Sequence, residues 1–157
     1  MEIFRNSTKD LVNARGGVFA LGNFDGVHLG HKEIISKAIS IGKKNNIPSG
    51  VLIFQPHPRK FFRPNDENFI ISDIKTRSYL LENCGLDFLG ILDFDKKMSN
   101  LTPYEFVDNV INNAIDVSHL IVGYNFKFGK DRSGDVQALT DICKKLKIDL
   151  SIIDKVE

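Results

Sequence analysis

The feature that most constrains this chain is a fivefold alternation of short apolar runs with segments of helical periodicity. Runs of this length are typical of buried strands, and they occupy residues 18–21, 51–54, 88–92, 120–123 and 150–153. Strands that alternate with helices pair in parallel, and right-handed crossovers then place helices on both faces of the sheet. The sequence therefore predicts an α/β fold with a five-stranded parallel sheet.

The intervening helices carry recognisable start and stop signals. They are predicted at residues 30–45, 73–84, 102–115 and 136–146. Asp73 is a possible N-cap of the second, and Gly85 is its stop. Thr102, Pro103 and Glu105 form the pattern of a capping box with proline at the first helical position.

Composition limits the classes of partner. The net charge of +1 supplies no field that would hold nucleic acid or an anionic membrane. No apolar stretch approaches the ~20 residues of a membrane span, and no signal peptide is visible at the N-terminus. Two cysteines suit a reducing compartment. We expect a single cytoplasmic domain whose partners are neither nucleic acid nor membrane.

Three segments break the periodicity directly after predicted strands, at residues 23–31, 55–64 and 123–135. Two of them are rich in glycine, and the third carries three prolines. Ligands of parallel sheets bind outside the carboxyl ends of the strands, near the point where strand order reverses. The three loops are therefore predicted to converge on one binding rim.

The first loop has the composition of a phosphate cradle. Gly26 and Gly30 let backbone approach a ligand closely, and a helix N-terminus offers free N–H groups to an anion. His28 and His31 are three residues apart and can share a face of the first turn. The alternative is a solvated or zinc-binding pair, although zinc needs a third ligand and none is obvious.

Longer motifs carry a family resemblance. The stretch from Gly22 to His31 reads Gly-Asn-Phe-Asp-Gly-Val-His-Leu-Gly-His and matches the HxGH signature of nucleotidylyltransferases. Phe-Gln-Pro-His-Pro at 54–58 and Gly-Tyr-Asn-Phe-Lys-Phe-Gly-Lys-Asp-Arg-Ser-Gly-Asp at 123–135 resemble two further motifs. Together they resemble the adenylyltransferase module of bacterial FAD synthetases, a family with a Rossmann-like fold.

This resemblance covers about residues 17–153 and implies a reaction. Members join FMN and ATP to give FAD and pyrophosphate, with Mg²⁺ accompanying ATP. Residues 1–157 are then expected to form the adenylyltransferase domain. The expectation includes an end before the family's last motif and no riboflavin kinase domain, the module to which bacterial members are usually fused.

The resemblance also implies residue roles, with no metal ligand among the protein's side chains. His28 and His31 would bind ATP phosphates and stabilise the transition state. The nucleotide pocket would be lined by Gly22, Asn23, Phe24, Asp25 and Gly30. The FMN site would comprise Pro56, His57, Pro58, Phe62, Tyr104, Asn125, Phe128, Arg132 and Asp135.

Several roles stay open at this point. Asp25 could instead bond turn amides, and Asp135 could orient Arg132 or lie near magnesium. Two other functions also fit: another HxGH nucleotidylyltransferase with a pantetheine or nicotinate phosphate acceptor, or an idle flavin- or nucleotide-binding module. His119, Asp93 and the neighbouring Asp95 are predicted to be non-catalytic.

Overall fold

The computed structural model of the chain describes residues 1–5, 13–24, 29–65 and 74–154. Its strands are β1 (Glu2–Arg5), β2 (Val18–Leu21), β3 (Ser49–Gln55), β4 (Phe88–Asp93), β5 (His119–Gly123) and β6 (Asp149–Ile153). They form one parallel sheet in the order β1-β4-β3-β2-β5-β6. The order reverses between β2 and β5, so the switch point lies between their carboxyl ends.

The predicted fold class is confirmed, with one strand more than expected. The five predicted strands are β2 to β6, and the sixth, β1, pairs with β4 at the edge of the sheet. The four residues of β1 bury only Phe4, while Ile3 is 52% exposed. An edge strand with a single buried side chain carries no apolar run, and sequence patterning could not find it.

Helices cover both faces of the sheet. They are α1 (Leu29–Asn45), α2 (Pro58–Phe62), α3 (Ile74–Glu82), α4 (Lys96–Ser99), α5 (Pro103–Glu105), a π-helix (Phe106–Ala114) and α6 (Val136–Leu146). The predicted bounds of α6 and the capping box of Thr102 and Glu105 are confirmed. Gly85 follows α3 with φ +91, as expected of a helix stop. The proposed cap Asp73 lies outside the described residues.

Two apolar clusters, one on each face, hold these layers together. Alternate residues of a strand point to opposite faces, and β3 shows this directly: Leu52 and Phe54 belong to one cluster, Val51 and Ile53 to the other. The first cluster includes side chains of the π-helix and α6, and the second those of α1 and α3. The loops after the strands consequently lie at the rim of a sheet that is buried on both sides.

A stability prediction arises where β3 passes under an aromatic ring. A Cβ on Gly50 would lie 2.4 Å from Phe19 Cε1 and 2.8 Å from the carbonyl oxygen of Phe88. Gly50→Ala is expected to lower the free energy of unfolding by about 1–3 kcal/mol, because backbone and ring cannot both move aside. Gly123→Ala is the matched control, since the nearest atom would be 3.5 Å away. Equal denaturation midpoints for the two variants would contradict the prediction.

A second prediction concerns His119, at the amino end of β5. The ring is half-buried, and its Nε2 lies 2.8 Å from Ser151 Oγ. Burial lowers the pKa of His119 from 6.5, against the opposing effect of Asp149 and together with that of Lys37. The unfolded state therefore binds the proton more tightly than the folded state does. The contribution of His119 to the free energy of unfolding should be fully present above pH 6.5 and decrease as the pH falls below that value. Thermal melts from pH 5 to 8 should show this slope (about the range in which histidine titrates), and His119→Gln should reduce it.

Cys84 and Cys143 are both free thiols, and burial raises the pKa of Cys143 to about 11. Within the described ranges, no helix has both the length and the apolar character needed to cross a membrane.

Candidate functional site at the switch point

The first loop leaves β2 at the switch point and turns sharply. The Gly22 N–H donates to the Leu52 carbonyl at 3.1 Å, which fixes the start of the loop to β3. Phe24 then adopts φ +53, a left-handed conformation that costs energy for a bulky residue. The Asn23 Oδ1 atom is buried without a hydrogen-bond partner among the described residues. An unsatisfied buried acceptor beside a strained turn is a common feature of binding sites.

His31 lies in the first turn of α1, immediately after this loop. Its ring packs edge-on against Phe24, with centroids 5.1 Å apart and planes at 68°. Phe24 itself is 2% exposed, so the His31 imidazole packs against a buried ring. The amino end of a 17-residue helix attracts anions through its free N–H groups and dipole. Of the other predicted residues here, Gly30 lies in α1, while Asp25 and His28 fall outside the described residues.

The third loop begins across the switch point, at the end of β5. Asn125 is exposed, and its Oδ1 would lie 3.5 Å from a Cβ on Gly123. The same Cβ would be 3.7 Å from Ile34, which is one turn beyond His31 on α1. The carboxamide therefore lies over the end of β5 on the side of α1. Asn125 therefore lies beside the helix that carries His31; that the two residues line one binding site stays a prediction.

The proline-rich loop follows β3, on the other side of β2. Its Gln55–Pro56 peptide bond is cis, and Pro58 opens α2. The Nδ1 atom of His57 accepts a hydrogen bond from the Arg59 N–H at 3.0 Å, so the ring caps this short helix. That contact gives His57 a structural role; its predicted part in FMN binding stays a prediction.

A row of phenylalanines runs from this loop along the rim. Phe62 is 63% exposed, and its ring lies 5.9 Å from that of Phe94. The Phe54 ring lies 5.5 Å from that of Phe94, and the Phe106 ring lies 5.8 Å from that of Phe54. The row ends at Phe128, whose ring lies 6.0 Å from that of Phe106. An exposed aromatic ring on a packed aromatic base is typical of a wall against which a planar ligand stacks.

The remaining predicted FMN residues lie in or beside the third loop. Phe128 is 4% exposed and stacks on Phe126, so it supports the loop from below. Tyr104 is 39% exposed, and Lys145 Nζ lies 5.1 Å from the centre of its ring. Asp135 caps α6 by accepting the Ala138 N–H at 2.9 Å. Its contact is therefore a helix cap, and its predicted contacts with Arg132 or magnesium stay predictions.

Arg132 lies at the tip of the third loop. A bridge between Phe128 and Gly134 closes the tip, and Arg132 adopts φ +55 with its side chain exposed. The tip is anchored just before α5, because the Lys130 N–H donates to the Leu101 carbonyl at 2.8 Å. The Arg132 guanidinium is therefore exposed at the tip of this loop.

Sequence reasoning missed two arginines at this rim. Arg5 ends the unpredicted strand β1, and its Nη1 lies 2.7 Å from Asp93 Oδ1 while Nη2 donates to Gln55 Oε1 at 3.3 Å. This cluster ties together the carboxyl ends of three strands beside the proline loop. Arg77 of α3 is 2% exposed and donates through Nη1 to the Asn23 carbonyl at 3.1 Å. A charged residue within the apolar face of a helix was the one available signal for Arg77.

Across residues 1–5, 13–24, 29–65 and 74–154, no group of three or more His, Cys, Asp and Glu side chains is placed to hold a metal ion.

The fold is that of a doubly wound α/β protein, with the amino end of α1 at the switch point of its sheet. Across the whole chain it resembles a crystal structure of a macrolide-efflux protein from Streptococcus pneumoniae, with TM-score 0.83 and 25% identity over 51% of that protein. The model of the family described as FAD synthetase matches residues 11–157. The chain belongs to the FAD synthetase family.

Curated relatives agree with this membership. An FAD synthetase of Listeria monocytogenes is 32% identical over 158 aligned residues, covering 100% of this chain and 63% of the relative. Bifunctional riboflavin kinase/FMN adenylyltransferases of Pseudomonas fluorescens and Buchnera aphidicola are 37% and 30% identical, over 80% and 83% of this chain. They are covered to 40% and 42% of their own lengths, so the chain spans less than two thirds of each relative.

Proposed function

We propose that this protein is an FMN adenylyltransferase, which transfers AMP from ATP to FMN and produces FAD and pyrophosphate. The observation that carries the proposal is the position of His31. It lies at the start of α1, against the strained turn at Phe24, in a chain of the FAD synthetase family. A phosphate-binding helix end beside an aromatic-lined rim suits a nucleotide and a flavin together.

The proposed reaction needs no general base. The FMN phosphate is already ionised near pH 7. One of its oxygens forms a bond to the α-phosphorus of ATP, while the bond from that phosphorus to the bridging oxygen of the β-phosphate breaks. The electron pair leaves with pyrophosphate. Catalysis then depends on alignment of the two substrates and stabilisation of charge on the phosphoryl oxygens.

The ATP phosphates would lie at the amino end of α1. His28 and His31 would donate hydrogen bonds to phosphate oxygens, and an imidazolium would also add positive charge. The backbone of Gly22, Asn23 and Phe24 would line the nucleotide pocket, with Asp25 and Gly30 completing it. The buried Oδ1 of Asn23 supports this, because it has no hydrogen-bond partner among the described residues and a ligand donor would satisfy it.

FMN would lie across the strand ends on the other side of the crevice. The exposed Phe62, with Pro56 and Pro58, offers an apolar wall for the flavin ring. The carboxamide of Asn125 has both a donor and an acceptor, which suits the polar edge of that ring. Arg132 would pair with a phosphate through its fork of donors. The rest of the proposed FMN set is His57, Tyr104, Phe128 and Asp135.

Magnesium would arrive with ATP. It would be held mainly by phosphate oxygens and water, since Mg²⁺ retains much of its hydration shell; it would supply charge neutralisation at the phosphates. We further propose that residues 1–157 act as the adenylyltransferase domain in the cytoplasm. Fusion to riboflavin kinase, as in the names of several relatives, would place FMN production in the same polypeptide.

The test is an FAD-formation assay with FMN, ATP and Mg²⁺, combined with titrations of FMN, FAD and ATP. Production of FAD and pyrophosphate in equal amounts would support the proposal. Flavin binding without FAD production would favour an idle binding module. ATP binding without any flavin affinity would contradict the FMN adenylyltransferase assignment, and turnover of a pantetheine or nicotinate phosphate acceptor would replace it.

A further inference from the structure

Arg77 is a buried cation that the proposed reaction does not use. It is 2% exposed and belongs to the largest fully buried side chains of the described residues. A guanidinium is expensive to remove from water unless its donors are satisfied. Its position in α3, against the first loop, therefore calls for an explanation.

One hydrogen bond of Arg77 is accepted by the peptide group directly before the strained residue Phe24. Its Nη1 donates to the Asn23 carbonyl at 3.1 Å. That carbonyl belongs to the peptide bond between Asn23 and Phe24, and its plane sets the starting direction of the φ rotation at Phe24. A hydrogen bond from a charged donor is stronger than a neutral one. It can consequently hold a peptide plane that the left-handed φ of +53 at Phe24 makes unfavourable.

The same turn sets the surroundings of His31. The Phe24 ring lies within the cluster that α1 and α3 share, and the His31 ring rests edge-on against it at 5.1 Å. If the peptide plane rotated, the Phe24 ring would move and the His31 imidazole would lose the ring against which it packs. The contacts therefore run from Arg77 through the Asn23 carbonyl and Phe24 to His31.

We propose that Arg77 is a positioning residue: it holds the turn at Asn23 and Phe24 so that His31 and the amino end of α1 face the ATP phosphates. It acts through the turn and does not touch substrate. The kinetic part of this inference rests on the proposed function, whereas the structural part does not.

The experiment compares three single variants with the wild-type protein. Arg77→Lys keeps the charge but loses the reach and fork of the guanidinium, and Arg77→Met removes the charge at similar bulk. Lys75→Met is the matched control, because Lys75 is an exposed cation of the same helix. Melting temperature, KM for ATP and FMN, kcat, and the NMR signals of the His31 ring are measured for each.

Arg77→Lys is expected to fold, to shift the His31 ring signals and to lower kcat/KM for ATP by about 10- to 100-fold, the effect of misplacing a catalytic group. Half-saturation by FMN should stay near the wild-type value, and the signals of His57 and His119 should not move. Arg77→Met should act in the same direction and more strongly. Lys75→Met should change none of these quantities.

Three outcomes would overturn the proposal. One is an unshifted His31 signal in a folded Arg77 variant. Another is a decrease of kcat/KM that is equal for ATP and FMN and follows the fraction of folded protein. The third is failure of both Arg77 variants to fold, which would make the residue a requirement of stability alone. If the wild-type protein forms no FAD, the proposed function fails, and the His31 signals together with ATP titration still decide the role of Arg77.

Discussion

His31→Ala is expected to lower kcat for FAD formation by about 10²- to 10³-fold, the usual loss when one preorganised donor to a transition state is removed. The imidazole stands at the amino end of α1, where negative charge on the ATP phosphates would be stabilised. The variant should also melt at a lower temperature, because the edge contact with Phe24 is lost and such contacts contribute about 0.5–1.5 kcal/mol. Steady-state turnover at saturating FMN and ATP, with thermal melts, measures both effects.

Related variants separate the loss of kcat from the loss of thermal stability. His31→Asn keeps an N–H donor and should recover part of kcat, and His28→Ala should lower kcat by a similar factor with little loss of stability. His119→Gln is the control, since His119 lies at the amino ends of the strands, opposite the crevice. A wild-type kcat in His31→Ala would remove this imidazole from the mechanism.

Asn125→Ala is expected to raise KM for FMN by about 10- to 100-fold, because a lost hydrogen-bond partner leaves a buried polar group of the flavin unsatisfied at a cost of about 1–3 kcal/mol. The carboxamide lies beside Gly123 at the end of β5, on the side of α1. ATP should bind as before, since the phosphate cradle belongs to the first loop. Separate KM values for FMN and ATP test this.

The control for Asn125 is its neighbour Tyr124, which is 45% exposed. Tyr124→Ala should leave KM for FMN near the wild-type value. Asn125→Asp should give an intermediate loss, because a carboxylate retains the acceptor and loses the donor. An equal rise of both KM values in Asn125→Ala would assign the residue to general loop structure and not to flavin recognition.

Local signals predicted most of the architecture. The apolar runs found five of the six strands, and the capping box at Thr102 and Glu105 located the start of α5 with both hydrogen bonds at 3.1 Å. The prediction for Phe106–Ala114 was right in its buried face, but the segment is a π-helix. Periodicity indicates which side chains are buried, but it distinguishes poorly between the hydrogen-bond spacings of an α-helix and a π-helix.

Residues whose role depends on distant partners could not be predicted. Arg5 meets Asp93 across 88 positions of the chain, and Arg77 meets the Asn23 carbonyl across 54. Neither contact leaves a periodic or spacing signal, because each depends on strand order. Asp135 makes a local contact, because its carboxylate caps α6; the ligand contact that the resemblance implies for it stays a prediction.

The sequence by itself determined the alternating fold, the family, and the three loops that carry the proposed chemistry, because these depend on local periodicity and contiguous motifs. Only the tertiary structure decided that β2 and β5 are neighbours, since strand order depends on contacts between segments about a hundred residues apart (Val18 pairs with His119). That pairing brings the end of β5, and Asn125 after it, beside the helix that carries His31. The tertiary structure also brings a buried arginine of α3 to the Asn23 carbonyl, in the turn before the histidine.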